Sequence, residues 1–223
     1  MLPEPRLRRN DAIVSPIEQS IRAEQLRLLF KSPVSIIGAP LTAALSLAVL
    51  WGSIAPGLLA GWGVAILSWT LVRWICWLRF RRVQADDALA IRWSRSAVMI
   101  MAVSGLLWGL FGAGFYLAPE TEIAAFMVLV VASMLAGGAI TYAAYRPAYD
   151  AFVVGCALPV ASASFSHGTQ SSIVFGAMLL LYIVLLLAMG RSVSHSIERM
   201  ISLQFQNTGL VDNLRHAAAS SRS

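Results

Sequence analysis

Charge is what this sequence has least of. Asp, Glu, Lys and Arg make up only 13% of it, about half the roughly 25% of an ordinary soluble domain. Lysine is nearly absent, Lys31 being the single one among 17 basic residues. Cysteine is confined to Cys76 and Cys156. Both lie in apolar runs without metal-ligand spacing, so they read as small buried or lipid-facing residues rather than a disulfide or redox pair. Histidine is limited to His167, His195 and His216. None lies in the middle of an apolar run, which excludes a bis-haem or metal site built from facing imidazoles at membrane depth. The sequence has no glycine-rich phosphate loop, no His-Glu-x-x-His and no paired carboxylates within an apolar run. No catalytic residue can be named, and no cofactor or metal is expected. The first 32 residues are polar and charged instead of carrying the apolar core of a signal peptide, so none is expected.

What is present is apolar length. The 223 residues are 58% hydrophobic with a mean hydropathy of +0.71, and the excess sits in long uncharged runs. About 20 such residues cross the hydrocarbon core as a helix. Runs at about 33–54, 57–78, 96–118, 123–144, 151–166 and 171–190 meet or approach that length. Ala55-Pro56-Gly57 joins the first two, Arg79 to Arg95 form a charged connection, and Pro119-Glu120-Thr121-Glu122 and Tyr145-Arg146-Pro147 punctuate later ones. The predicted fold class is therefore all-α, a polytopic membrane protein of six transmembrane helices. The fifth run is the weakest, being short and containing Pro159 and three serines.

Charge placement decides whether that run counts. With six spans, all 17 basic residues fall on one side, and the other side carries only Glu120, Glu122 and His167. Without the fifth, Arg191, Arg199, Arg215 and Arg222 would be translocated, against the positive-inside rule. Six spans with both termini cytoplasmic are expected, in a bacterial inner membrane given the Arg- and Ala-rich composition. The net charge of +6 is thereby explained by topology, and no nucleic-acid partner is expected. Trp51 and Trp62 fall toward one interface and Trp74, Trp77 and Trp93 toward the other, as aromatic belts do. Gly105, Gly109, Gly112 and Gly114, with Gly137 and Gly138, permit close helix contact.

Three regions follow. Residues 1–32 form a cytoplasmic tail and an amphipathic helix, with Ser15-Pro16-Ile17-Glu18 as a helix start. Ile17, Ile21, Leu28 and Leu29 share one side of that helix, which suits the membrane interface, the bundle, or a plain solvated lead-in. Residues 33–191 hold the spans. Residues 192–223 continue as a cytoplasmic helical linker in which Val193, Ile197, Met200, Gln204, Asn207, Val211 and Leu214 recur by fours and threes. That spacing predicts a coiled-coil seam and hence a homodimer. Gly209 weakens the helix locally.

Polar residues gather at two places. Tyr142, Tyr145, Arg146, Tyr149 and Asp150, with Thr141, lie near the cytoplasmic end of the fourth and fifth spans. They are candidates for a loop lock, a switch or an anionic-headgroup site. Ser162, Ser164, Ser166 and His167 lie at the other side. Trp108, Gly137 and Gly138 are candidate packing positions. Inside the spans ionisable residues are almost absent, and Arg73, near an end, is expected to snorkel to the interface.

The order of several short motifs resembles a known group. Arg22-Ala23-Glu24-Gln25-Leu26-Arg27-Leu28-Leu29 opens the membrane region. Gly105-Leu106-Leu107-Trp108-Gly109, Ala136-Gly137-Gly138-Ala139 and Arg146-Pro147-Ala148-Tyr149 follow, then Leu203-Gln204-Phe205-Gln206-Asn207. Over roughly residues 16–216 the chain resembles the six-span N-terminal input domains of bacterial hybrid sensor histidine kinases and related diguanylate cyclases. The resemblance implies a sensory module passing a stimulus through its exit helix to a C-terminal output domain absent from these residues. It supplies no ligand-binding residues. Two other readings stay open. One is a stand-alone assembly subunit binding a larger membrane complex. The other is a small transporter component, disfavoured by the lack of intramembrane charge.

Overall fold

A computed structural model describes the backbone over residues 16–31, 34–83, 86–114 and 121–220, with side chains over 19–30, 36–82, 86–114 and 121–204. Eight helices follow one another: α1 (Pro16–Lys31), α2 (Val34–Leu50), α3 (Pro56–Val83), α4 (Asp87–Arg92), α5 (Ser94–Ala113), α6 (Thr121–Tyr142), α7 (Arg146–His167) and α8 (Gln170–Ser220). Among the described residues there is no strand, only an isolated bridge between Trp51 and Ile54. Five stretches are long and apolar enough to cross a membrane: Pro56–Arg82, Asp87–Ala113, Thr121–Tyr142, Arg146–His167 and Gln170–Gln204. The first expected span is a shorter apolar helix, Ile36–Leu50. At 1.5 Å per residue the whole of α2, 17 residues, reaches about 25 Å, just under a 30 Å core.

Local chemistry explains the boundaries. Gly52 adopts φ 95° in the α2–α3 turn, and Pro56 starts α3, where a missing N–H costs nothing. Asp86 caps α4 by accepting from the Ala88 and Leu89 amides at 2.8 and 3.3 Å. Pro147 lies in the first turn of α7, and Gly168, at φ 72°, closes that helix. The weakest expected span is thus a full 22-residue helix, tolerating Pro159 in its interior. The proposed cap Ser15 lies outside the described residues.

The core is the α5–α7 contact, and α5's small residues create it. A Cβ on Gly105 or Gly109 would collide with the carbonyl oxygens of Phe152 and Cys156 respectively, and one on Gly155 would come within 2.6 Å of the Ala102 carbonyl oxygen. Backbones this close gain dispersion contact that lipid cannot supply. Two tryptophans assigned to interface belts turn inward instead. The Trp62 indole donates to the Leu107 carbonyl and the Trp77 indole to the Phe30 carbonyl, each at 2.9 Å. A half-buried indole N–H needs such an acceptor. Trp51 remains 65% exposed.

The amphipathic helix α1 lies against the bundle. Its buried residues are Ala23, Gln25, Leu26, Leu29 and Phe30, a stripe rotated from the one centred on Ile21 and Leu28. Polar bonds fix it there. Ser20 donates to Asp87 at 2.9 Å, Arg27 pairs with Asp87 at 2.5 Å, and Gln25 donates to Glu198 at 3.0 Å. Helix α1, the α4 connection and the exit stretch of α8 therefore meet at one end of the bundle. Helices α1 and α8 also line a cavity there.

Candidate functional site

An open cavity of about 880 Å³ lies at that end, walled by α1, α2, α3, α5, α6, α8 and Phe152 of α7, within the roughly 300–1,000 Å³ usual for small-ligand sites. Arg73 is part of its wall. The side chain expected to snorkel outward is instead buried, at 6% exposure, and donates to the Tyr142 hydroxyl at 3.4 Å. The reason is direction: Arg73 projects into the bundle, among Leu29, Ile36 and Ile100, so the path a snorkelling stem would take is enclosed. Beside it the Trp69 indole donates to the Ser104 hydroxyl at 2.9 Å, and Ser104 donates to the Ile100 carbonyl at 2.7 Å. The other charged group lining the cavity is Glu24, salt-bridged to Arg27 at 3.3 Å.

The remaining wall mixes hydroxyls with apolar surface. Thr42 and Thr141 donate to carbonyls four residues back, at 3.0 and 2.8 Å, leaving acceptor lone pairs to the cavity. Trp108 is buried, edge-on to Trp62 at 5.4 Å. Tyr142 meets Phe152 edge-on at 5.1 Å, and Gly138 leaves space for that pair: a Cβ there would lie 2.8 Å from the Phe152 ring. Gly137 sits at the rim, and nothing lies within 4 Å of where its Cβ would be.

The expected polar cluster at the α6–α7 boundary therefore divides. Tyr142, Gly137, Gly138 and Trp108 join the cavity wall. Tyr149 is fully buried elsewhere, donating to the Leu186 carbonyl at 3.1 Å with its ring against Gly190. Arg146 and Asp150 pair at 3.3 Å within the first turns of α7, both partly exposed. Tyr145 is half-buried beside them. On the other polar patch, Ser162 and Ser164 donate back along their own helix at 2.6 and 2.7 Å, while Ser166 and His167 are exposed. Those hydroxyls do not converge on a point.

The proposed seam also meets this cavity. Ile197, Met200 and Gln204 line it, as does Ile201, and Val193 is half-buried. Met200 nonetheless stays 69% exposed and Leu203 59%. The side chains of Asn207, Val211 and Leu214 lie outside the described residues, although the α8 backbone runs through them. Among the described residues no group of three His, Cys, Asp or Glu stands ready to hold a metal. The cavity wall offers one guanidinium, one carboxylate, a phenol, several hydroxyls and a broad apolar surface. No family model, curated protein or solved structure matches the chain.

Proposed function

We propose that the chain is the membrane input module of a bacterial signalling protein of the histidine-kinase type, acting through an output region C-terminal to residue 223. The observation that carries this reading is α8. A single 51-residue helix, about 75 Å long at 1.5 Å per residue, forms the last apolar span, lines the cavity with Ile197 and Ile201, and continues to Ser220. A change in what fills the cavity shifts the helix that leaves the membrane. A two-state bundle needs only a few kcal/mol of differential binding to change its balance.

In this reading α2 completes a sixth crossing, its small length deficit met by local thinning of the bilayer. The one-sided basic residues hold both termini in the cytoplasm. Two copies associate along the exit helices, and exposed Met200 and Leu203 supply apolar surface for that contact. The test is the length of the native polypeptide, read by immunoblot of membranes from cells carrying a small N-terminal tag at the chromosomal locus. A band far heavier than 24.1 kDa is expected. A band at that mass sinks the input-module reading and favours an assembly subunit.

A further inference from the structure

We propose that the cavity binds the phosphate of an anionic phospholipid, admitted sideways from the bilayer between α2 and α6, with Arg73 as its counter-charge. The proposal deepens the input-module reading and rests on the cavity being its input site.

Charge comes first. A cation enclosed in an apolar bundle is costly, and such residues mark functional sites in membrane proteins. Arg73 is buried, at 6% exposure, and it also lines the cavity. Guanidinium presents five N–H donors in a planar fork that matches phosphate oxygens in pairs. The Tyr142 hydroxyl that it contacts lines the same cavity and has an O–H to offer the same anion. The carboxylate on the wall, Glu24, is held by Arg27, so it does not set the sign of the site.

Depth comes second. Arg73 lies six residues before Arg79 on α3, about 9 Å along the axis, and Arg79, Arg81 and Arg82 mark the basic end of that helix. Arg73 therefore sits just below the interface, where phosphates meet acyl chains. Basic pockets between spans at this level are how membrane proteins hold anionic headgroups.

Access comes third. Gly38 on α2 and Gly137 on α6 face the opening, with nothing within 4 Å of either Cβ position. Ile140, on the same lip, is 88% exposed. An opening with an apolar lip admits a headgroup whose chains remain in the bilayer. The volume suits a headgroup and upper chain, not an entire two-chain lipid.

The experiment uses the full chain in phosphatidylcholine nanodiscs containing a minor share of phosphatidylglycerol, with retained lipid read by native mass spectrometry. Wild type should retain phosphatidylglycerol over phosphatidylcholine. Arg73→Gln should lower that retention roughly ten- to hundredfold, the size of one charge-assisted hydrogen bond, and Arg73→Lys should fall between. Because Arg73→Gln risks misfolding, Gly137→Leu provides a second arm. It fills only open space at the rim, and should reduce retention while leaving the melting temperature unchanged. Equal retention of both lipids by wild type, or unchanged retention in a folded Arg73→Gln or Gly137→Leu protein, overturns the proposal. Inorganic phosphate tests the soluble source: full displacement of the lipid by it would mean a free anion entering from water, and overturns the lipid assignment. Disulfide crosslinking at Met200→Cys separates the two readings. Lipid retention without any change in crosslinking leaves the lipid site standing and sinks the input module. A crosslinking response without retention does the reverse.

Discussion

Glycine does opposite things on the two sides of this bundle. Along α5 and α7 it lets two backbones touch, so that a methyl group on Gly105 or Gly109 would overlap a neighbouring carbonyl oxygen. Along α2 and α6, Gly38 and Gly137 face open space. The first region is a scaffold with no slack. The second is a gap edged by small residues, with the buried Arg73 behind it. The same residue type thus marks a closed interface and an open one, and only the partner helix decides which.

The largest effect should come from breaking the closed side. Gly105→Ala places its methyl against the Phe152 carbonyl oxygen and within 3.0 Å of the Cys156 amide nitrogen. Neither is a flexible side-chain end, so α5 and α7 must move apart along their whole contact. A destabilisation of about 3 kcal/mol, the upper end of ordinary overpacking, should appear in reversible unfolding from mixed micelles. A change near zero would mean that the two helices slide easily, and the contrast between the regions would fail.

A middle-sized effect should come from the joint that fastens α8 to this scaffold. Tyr149 fills the space opposite Gly190 and donates to the Leu186 carbonyl at 3.1 Å. Tyr149→Phe keeps the ring and removes that bond, a loss of about 1 kcal/mol in the same unfolding measurement. If α8 is the moving part, the loss should also change crosslinking of a cysteine at Met200. An unchanged pattern would place the hinge elsewhere.

How much of this the sequence made readable follows from what hydropathy can encode. Helices appear wherever charge is missing for long enough, which is why α3, α5, α6 and the start of α8 were plain. Even α7, with Pro159 inside it, followed from the position of the arginines beyond it. The rotation of each helix was not readable, because nearly every face is apolar. Arg73 therefore looked like a terminal residue free to reach water, and nothing along α3 says that this side meets Tyr142. The exit helix has the same ambiguity. Ile197, Met200 and Gln204 have seam spacing, and that spacing is equally good for lining a cavity in their own bundle. Tyr142 and Tyr149, seven residues apart, were grouped by proximity in sequence. The turn at Ala143–Ala144 sends one to the cavity and the other to α8.

The smallest effect is the most discriminating. Gly137→Ala puts a methyl group where nothing lies within 4 Å, on a helix whose Thr141 hydroxyl already bonds back to the Gly137 carbonyl at 2.8 Å. No contact is lost and no collision is made, so stability should stay within about 0.5 kcal/mol of wild type, the usual range for an unconstrained position. Helix propensity favours alanine over glycine by about 1 kcal/mol in water, but a membrane helix is already held by its internal hydrogen bonds, so little of that gain should be visible. Paired with Gly105→Ala, the substitution compares one methyl group in two places with the chemistry held constant. A loss at Gly137 as large as that at Gly105 would mean that α2 or another surface closes over the rim in the membrane, and the lateral opening would not exist.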